Sequence, residues 1–444
     1  MPHVSRRQRA AARFRPELPE ACEARALLST LPAAEVAHHA VAAHVLHHEA
    51  RAAHATAAAH KVHATTARQV PSMHAPAKVP AATGTAQPLL KYLPNATSSP
   101  TGYGPAQVQH AYGFDQVYAS GNKGAGQTIY IIDAYDDPTI ASDLSAFSTK
   151  YGLPQMTGGS NPTFTKLTPQ GGPRTNGGWA LEISLDVEWA HAIAPMASID
   201  LVEAKSAANS NLYAAIDYAV GNGAKIVSMS FGGGDASGNS ALDSHFNTPG
   251  VSFIASAGDT GGVVEYPSAS PYVLSVGGTN LPLDASGNRT GAESTWTGGG
   301  GGASLYEAEP GYQAAFGIKA SGRGTPDVAY DADPNTGVSV YDTTPDNGQS
   351  GWFQVGGTSA GAPQWAALIA LADAGRTAAQ GPLSTNNLAA RAEYAAATGS
   401  SYATNYTDIT AGSNGYAAST GYDFATGLGT PKAAALVPWL AANG

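Results

Sequence analysis

The chain has 444 residues, a formal net charge of −10 at pH 7 and one cysteine, Cys22, so it can form no intramolecular disulfide. Residues 1–94 hold 11 Lys and Arg against 5 Asp and Glu, which leaves 12 against 28, a balance of −16, for residues 95–444. So acidic a body excludes nucleic acid as a partner, because phosphate binding needs clustered Lys and Arg; it suits acid, where protonation relieves the excess charge.

The composition predicts two regions: a low-complexity Ala/His-rich stretch over 1–94 and one large folded domain over 95–444. "SRRQRAAARFRPELPE" has the basic start of an export signal but lacks the apolar stretch that should follow. "ACEARALLS" resembles a short N-terminal motif of exported proteins, and a secreted, extracellular protein is the expectation. Between Ala33 and Ala82 the chain is rich in Ala and His with few large apolar residues, so it buries little core. It reads as a solvated tether, or as an arm that charges as the pH falls through about 6.5. No run of 18 apolar residues occurs, so no membrane span is expected, and a monomer is expected.

From Gly121 the pattern becomes α/β. "GQTIYIIDA", "ASIDLVEA", "AKIVSMSFG" and "VSFIASAG" are short Ile- and Val-rich runs that predict buried parallel strands. "NSNLYAAIDYAVGNG" puts Leu212, Ala215, Ile216 and Val220 on one helical face and ends on glycine. This alternation predicts a parallel sheet with helices on both faces and ligands beyond the carboxyl ends of its strands, where Asp133, Phe231 and Asp259 fall.

Three stretches carry candidate chemistry. "GGWALEISLDVEWAHAIAP" spaces Glu182 and Asp186 at i, i+4, so a helix brings the carboxylates together, and such a pair can share a proton. The alternative, two solvent-facing acids, is weakened by Leu181, Leu185 and Trp189 around them. "SFIASAGDTGG" ends an apolar strand with Asp259, either an Asx-turn residue or a protonated acid able to donate to an oxyanion. "VGGTSAGAPQWAALIALADAG" places Ser359 in a glycine-rich turn before a helix. A serine hydroxyl needs a base. Ten of thirteen histidines lie at or before His74, His110 follows, and neither His191 nor His245 has the Gly and Thr neighbours that expose a catalytic imidazole.

Gly357, Thr358, Ser359 and Pro363, with the ExxxD pair upstream and "SAGD" between, resemble the sedolisin family of serine-carboxyl peptidases. "GYGPAQVQHAYGFDQ", "GGGGGASLYEAEPGYQ", "GRGTPDVAYDADPNTGVSVYD" and "DITAGSNGYAASTGYDFATGLGTP" extend the likeness from Gly102 to the C-terminus. The resemblance implies a subtilisin-like fold and an endopeptidase acting on polypeptides at acidic pH. It gives Ser359 as nucleophile, Glu182 as general base, Asp186 as its orienting acid and Asp259 as oxyanion-hole donor. It places the substrate backbone along Ser230, Phe231 and Gly232. It also implies one Ca2+, held by the side chains of Asp408 and Asp423 and the carbonyls of Ile409, Ser419 and Gly421. Two departures accompany the likeness. Asp133 and Phe231 stand where relatives extend the carboxylate network with a Glu and a Trp, and residues 1–94 are shorter than the usual folded propeptide. Two rival readings stay open: a catalytically silent, calcium-stabilised binding module, and a Ser-His-Asp hydrolase using Asp133 and His191.

Overall fold

The structure is a computed structural model that describes residues 84–383 and 389–444. Cys22, the expected export signal and the His-rich arm lie outside the described residues.

The architecture rests on one eight-stranded sheet. In chain order the strands used below are β1 (Gln87–Pro88), β2 (Lys91–Tyr92), β3 (Thr128–Ala134), β4 (Phe164–Leu167), β5 (Ser198–Ala204), β6 (Ile226–Met229), β7 (Phe231–Gly234), β8 (Ser252–Ser256), β9 (Glu265–Tyr266), β10 (Val273–Asn280), β11 (Ser294–Thr295), β12 (Val328–Asp331), β13 (Val338–Asp346) and β14 (Gln349–Gly356). The large sheet runs β4-β5-β3-β6-β8-β10, all parallel, and β10 is further paired by parallel β12 and antiparallel β11. The four Ile- and Val-rich runs are thus the middle of a parallel sheet, as their unbroken apolar character predicts.

Helices α1 (Ile140–Tyr151), α2 (Gly177–Ile193), α3 (Asn209–Gly221) and α4 (Gly361–Ala374) cover the two faces. Successive side chains of a strand point to opposite sides, and β3 shows the division. Ile129 and Ile131 join Ile199, Leu201, Ile226 and the residues of α1, α2 and α4 in one cluster, whereas Tyr130 and Ile132 join Val202, Val227, Met229 and α3 in the other. The α3 face predicted from sequence is buried at Leu212, Ala215 and Ile216.

Two helices are buried on every side. α2 is capped by Asn176, whose side chain accepts the Trp179 N–H at 3.1 Å, and every residue from Trp179 to Ile193 is buried. It lies between the sheet, α4 and the β13–β14 hairpin, with the Trp189 indole donating to the Ser339 carbonyl at 2.9 Å. α4 is buried from Gly361 to Asp373. A helix without a solvent face commits its polar side chains to the interior, where they need partners or protons.

Residues 84–92 lie within this fold, although the compositional boundary falls after residue 94. β1 pairs with β7, which in turn pairs with β9, and β2 pairs with β14. Composition separated an Ala/His-rich stretch from the domain, but pairing depends on backbone, which Gln87 to Tyr92 supply irrespective of the residues before them.

Burial raises many carboxyls: Glu203 to about 7, Glu393 to about 8 and Asp373 to about 6, with Asp133, Glu182, Asp186 and Asp331 all pushed well above the ordinary range. The same groups titrate near 4 in an unfolded chain, so the folded state holds more protons between about pH 4 and about pH 8. The stability this confers is full below the unfolded values and is lost as pH rises through the folded ones. Thermal denaturation at a series of pH values should therefore show a midpoint that falls by on the order of 10 °C from about pH 4 to about pH 8; a midpoint that rises over that interval contradicts the protonated interior.

Candidate active site

Ser359 follows β14 in a short 3-10 turn, Thr358–Ala360, two residues before α4 begins. The turn passes through Gly357 at φ +90°, and a Cβ there would lie 2.4 Å from the Leu89 carbonyl oxygen, so only glycine fits. Ser359 is fully buried. Its N–H donates to the Leu89 carbonyl at 3.0 Å, and its hydroxyl donates to the Ser230 carbonyl at 3.2 Å.

Glu182 and Asp186 stand one turn apart on α2, both with no exposed surface. Neither Glu182 oxygen has a hydrogen-bond partner, and the Ser359 hydroxyl acts on this carboxyl by lowering a pKa that burial, Asp186 and Asp133 raise. The resting hydroxyl thus points to Ser230, with Glu182 beside it. One Asp186 oxygen accepts the Ser230 hydroxyl at 2.8 Å, and burial is the main cause of its raised pKa.

Asp133, near the carboxyl end of β3, is fully buried with both oxygens unpartnered; burial first, then Asp186 and Glu203, raises its pKa. Glu203 pairs with Lys166 at 3.0 Å, and Lys166 also bonds Asp136. A line of carboxyls therefore runs from Ser359 through Glu182, Asp186 and Asp133 to Glu203, ending on a cation. The sequence reading treated Asp133 as a departure; the structure puts it inside the network. An acid in an otherwise apolar strand was the available signal. Phe231, the other departure, packs against Trp179 with ring centroids 6.4 Å apart.

Asp259, three residues beyond β8, is bonded to Thr358, the residue before Ser359. One of its oxygens accepts the N–H and hydroxyl of Thr358 at 2.8 and 2.9 Å, while Oδ2 is buried and unpartnered. Burial pushes its pKa up to about 7, against the lowering influence of Thr358 and Lys91. Below about pH 7 it is a carboxylic acid, and Oδ2 is the oxygen left free by the bonds from Thr358.

The expected backbone-binding residues also meet here. The Ser230 carbonyl accepts the Leu89 N–H at 3.2 Å, Phe231 is paired with Pro88, and Gly232 with Gln87. The three residues lie along the segment 87–89, whose Leu89 carbonyl accepts the Ser359 N–H.

Neither candidate histidine among the described residues, His191 or His245, takes part. His191 is fully buried, its Nε2 lies 2.8 Å from the Pro154 carbonyl, and burial lowers its pKa to about 4. His245 stacks on Tyr213 and pairs with Asp217. Neither contacts Ser359 or Asp133, so the Ser-His-Asp reading has no geometric support.

The C-terminal loop gathers the expected calcium residues. Asp408 accepts the Gly421 N–H at 3.1 Å, and Asp423 accepts the Ser419 N–H at 2.7 Å. Among the described residues no donor engages the carbonyls of Ile409, Ser419 or Gly421. Two carboxylates and three free carbonyls form an all-oxygen set that fits a hard cation. Asp137, Asp143 and Asp342 form a second, buried group with carboxylate oxygens within 4.8 Å of one another, which sequence reasoning missed because Asp342 is far along the chain from the other two. Thr139, Thr343 and Thr344 donate into it.

The profile of the Subtilase family matches residues 177–429, which span Glu182 to the calcium-candidate loop. Kumamolisin of Bacillus sp. (strain MN-32) is 35% identical over 312 residues, covering 62% of this chain and 52% of the relative. Sedolisin of Pseudomonas sp. (strain 101) is 28% identical over 405 residues, covering 81% of this chain and 66% of the relative. The chain thus spans about half the length of kumamolisin and just under two thirds of that of sedolisin. The solved structure of Pseudomonas sedolisin, a serine-carboxyl proteinase complexed with two molecules of pseudo-iodotyrostatin, superposes with a TM-score of 0.64 at 27% identity, covering 78% of this chain and all of that one. With the family profile on more than half the chain and the sedolisin fold over most of it, the chain belongs to the subtilase family and, within it, to the sedolisins.

Proposed function

We propose that the protein is an endopeptidase that hydrolyses polypeptides in acid, with Ser359 as nucleophile and Glu182 as base. The observation that supports this most is the unpartnered Glu182 carboxyl beside the Ser359 hydroxyl, with no histidine among the described residues in contact with either. Ser359 attacks the carbonyl carbon and its proton passes to Glu182. The oxyanion accepts hydrogen bonds from the Ser359 N–H and the protonated Asp259, and Glu182 returns the proton to the departing amine; water then attacks the Ser359 ester, giving a proton to Glu182, which passes it to the serine oxygen as the acid product leaves. Asp186 and Asp133 supply the shared protons that let one negative charge reside on Glu182 while its neighbours stay neutral. The upper pH limit comes from Asp259, which loses its donor proton as pH rises through about 7. We place this activity in an acidic medium outside the cell, in keeping with the basic N-terminal stretch and its export-like motif.

Asp408 and Asp423, with the carbonyls of Ile409, Ser419 and Gly421, would hold one Ca2+. Bound there, the ion ties the C-terminal loop together and neutralises two carboxylates. It takes no part in the proton transfers, which belong to groups on α2, β3 and the turns after β8 and β14.

Casein hydrolysis measured across pH 3 to 8 tests the mechanism. Activity should be confined to acid, fall by at least about 10⁴-fold in Ser359→Ala and Glu182→Gln, and by about 10²–10³-fold in Asp259→Ala. A maximum near neutrality, or survival in Glu182→Gln, sinks the proposed base. For the ion, chelation by EGTA should lower the thermal midpoint and added Ca2+ should restore it, whereas in Asp408→Asn the chelator should produce little further change; an equal chelator effect in the variant points to a different site.

A further inference from the structure

α2 carries acids on two sides. Residues two apart on a helix point about 200° away from each other, so Ser184 and Glu188 lie on the side of α2 opposite Glu182 and Asp186. That second side meets the buried group of Asp137, Asp143 and Asp342. The Ser184 hydroxyl donates to Asp137 Oδ2 at 3.3 Å, and the N–H of Tyr341, the residue before Asp342, donates to Glu188 Oε2 at 3.0 Å. One turn beyond Ser184, Glu188 makes the three aspartates a group of four acids, and the charges of all three bear on it.

Asp137, Asp342 and Glu188 have no exposed surface, and Asp143 is 2% exposed. The hydroxyl protons are too few for the oxygens they face. The Thr139 hydroxyl has one proton and three acceptors in reach: Asp137 Oδ1 at 3.1 Å, Asp143 Oδ2 at 2.7 Å and Thr344 Oγ1 at 2.8 Å. Asp342 Oδ2 and Glu188 Oε1 are buried with no partner at all. Among the described residues no Lys, Arg or His forms a salt bridge with any of the four acids. Lys166 comes near, but it donates to the Asp137 main-chain carbonyl at 2.7 Å, and its ion pairs are with Asp136 and Glu203. Four enclosed acids with two bare oxygens and no paired side-chain cation need positive charge from outside the chain.

We propose that Asp137, Asp143, Asp342 and Glu188 hold a Ca2+ ion of their own, separate from the C-terminal loop. The donor set is oxygen throughout. Each aspartate offers one oxygen, the three lying within 4.8 Å of one another, and Glu188 adds the free Oε1. The Thr139 and Thr344 hydroxyls can turn their lone pairs inward as well. A hard cation takes such ligands, and the enclosure favours Ca2+ over Mg2+, which gives up its water reluctantly. The ion ties together the turn after β3, the first turn of α1, β13 and the back of α2. β13 leads through β14 into the turn that carries Ser359, so the site braces that turn and α2 from behind without touching substrate.

The experiment counts ions on the purified full chain. Protein stripped with EGTA is dialysed against Ca2+ at about pH 7, where protons compete little for carboxylate ligands, and bound Ca2+ is measured by elemental analysis beside the thermal midpoint. The unaltered chain should hold two ions, Asp342→Asn and Asp408→Asn one each, and the double variant none. Added Ca2+ should raise the midpoint of Asp408→Asn by several degrees and leave the double variant unmoved, with Mg2+ at least about tenfold less effective. A single ion that survives in Asp408→Asn and is lost in Asp342→Asn supports this site and sinks the one in the C-terminal loop. A single ion lost in Asp408→Asn, or an Asp342→Asn chain that binds as many ions as the unaltered one, overturns the inference and leaves protons alone to hold the four acids. No ion at all overturns both sites, and Mg2+ acting as well as Ca2+ overturns the choice of ion. Should near-ultraviolet circular dichroism show that Asp342→Asn does not fold, Glu188→Gln is counted in its place with the same outcomes. None of these results bears on the peptidase reading.

Discussion

The cost of keeping ionised carboxyls out of water governs this molecule. An isolated buried carboxylate is so unfavourable that the group takes up a proton instead, and here the fold forces the issue by surrounding α2 on all sides. Glu182 and Asp186 cannot turn outward, Asp133 comes at them from the sheet, and Lys166 supplies compensating charge only at the far end of the line. What results is a reservoir of protons held by packing. The β13–β14 hairpin and α4, by closing over α2, set the protonation of the site as well as its shape.

The same constraint explains why the site is built from separate pieces of chain. Two acids on one helix share a proton without help, but a donor for the opposite side of a carbonyl has to stay neutral for its own reasons. Asp259 does so at the end of β8, tied by one oxygen to Thr358 and otherwise buried. Because Thr358 immediately precedes Ser359, the bond that holds Asp259 in place also fixes the turn carrying Ser359. The two sides of the site are therefore mechanically one unit, although a hundred residues separate them in sequence.

Much of this was legible in the sequence, and the reasons differ by element. Parallel strands announce themselves because burial on both faces leaves unbroken Ile and Val runs, and Gly357–Ser359 because a tight turn admits few residue types. The spacing of Glu182 and Asp186 was readable from helical periodicity alone, though their complete burial was not, since no local pattern distinguishes an enclosed helix from one with a polar face. Asp133 remains a departure in residue type, but its proximity to Asp186 was not readable because the two lie on different elements. Residues 84–92 were assigned to the low-complexity region because composition is averaged over tens of residues, while their place in the fold depends on backbone pairing by individual residues.

The β7 edge has one more implication. Its glycines and carbonyls engage main chain, and Gly232 leaves side chains little to read beyond the recess over Glu265. An occupant must present a bare, straightened backbone several residues long, which a native helix or an internal strand cannot do without first coming apart. On the peptidase reading proposed above, discrimination at such an edge falls on the mechanical state of the visiting polypeptide: already loosened chains pass, and compact ones are spared.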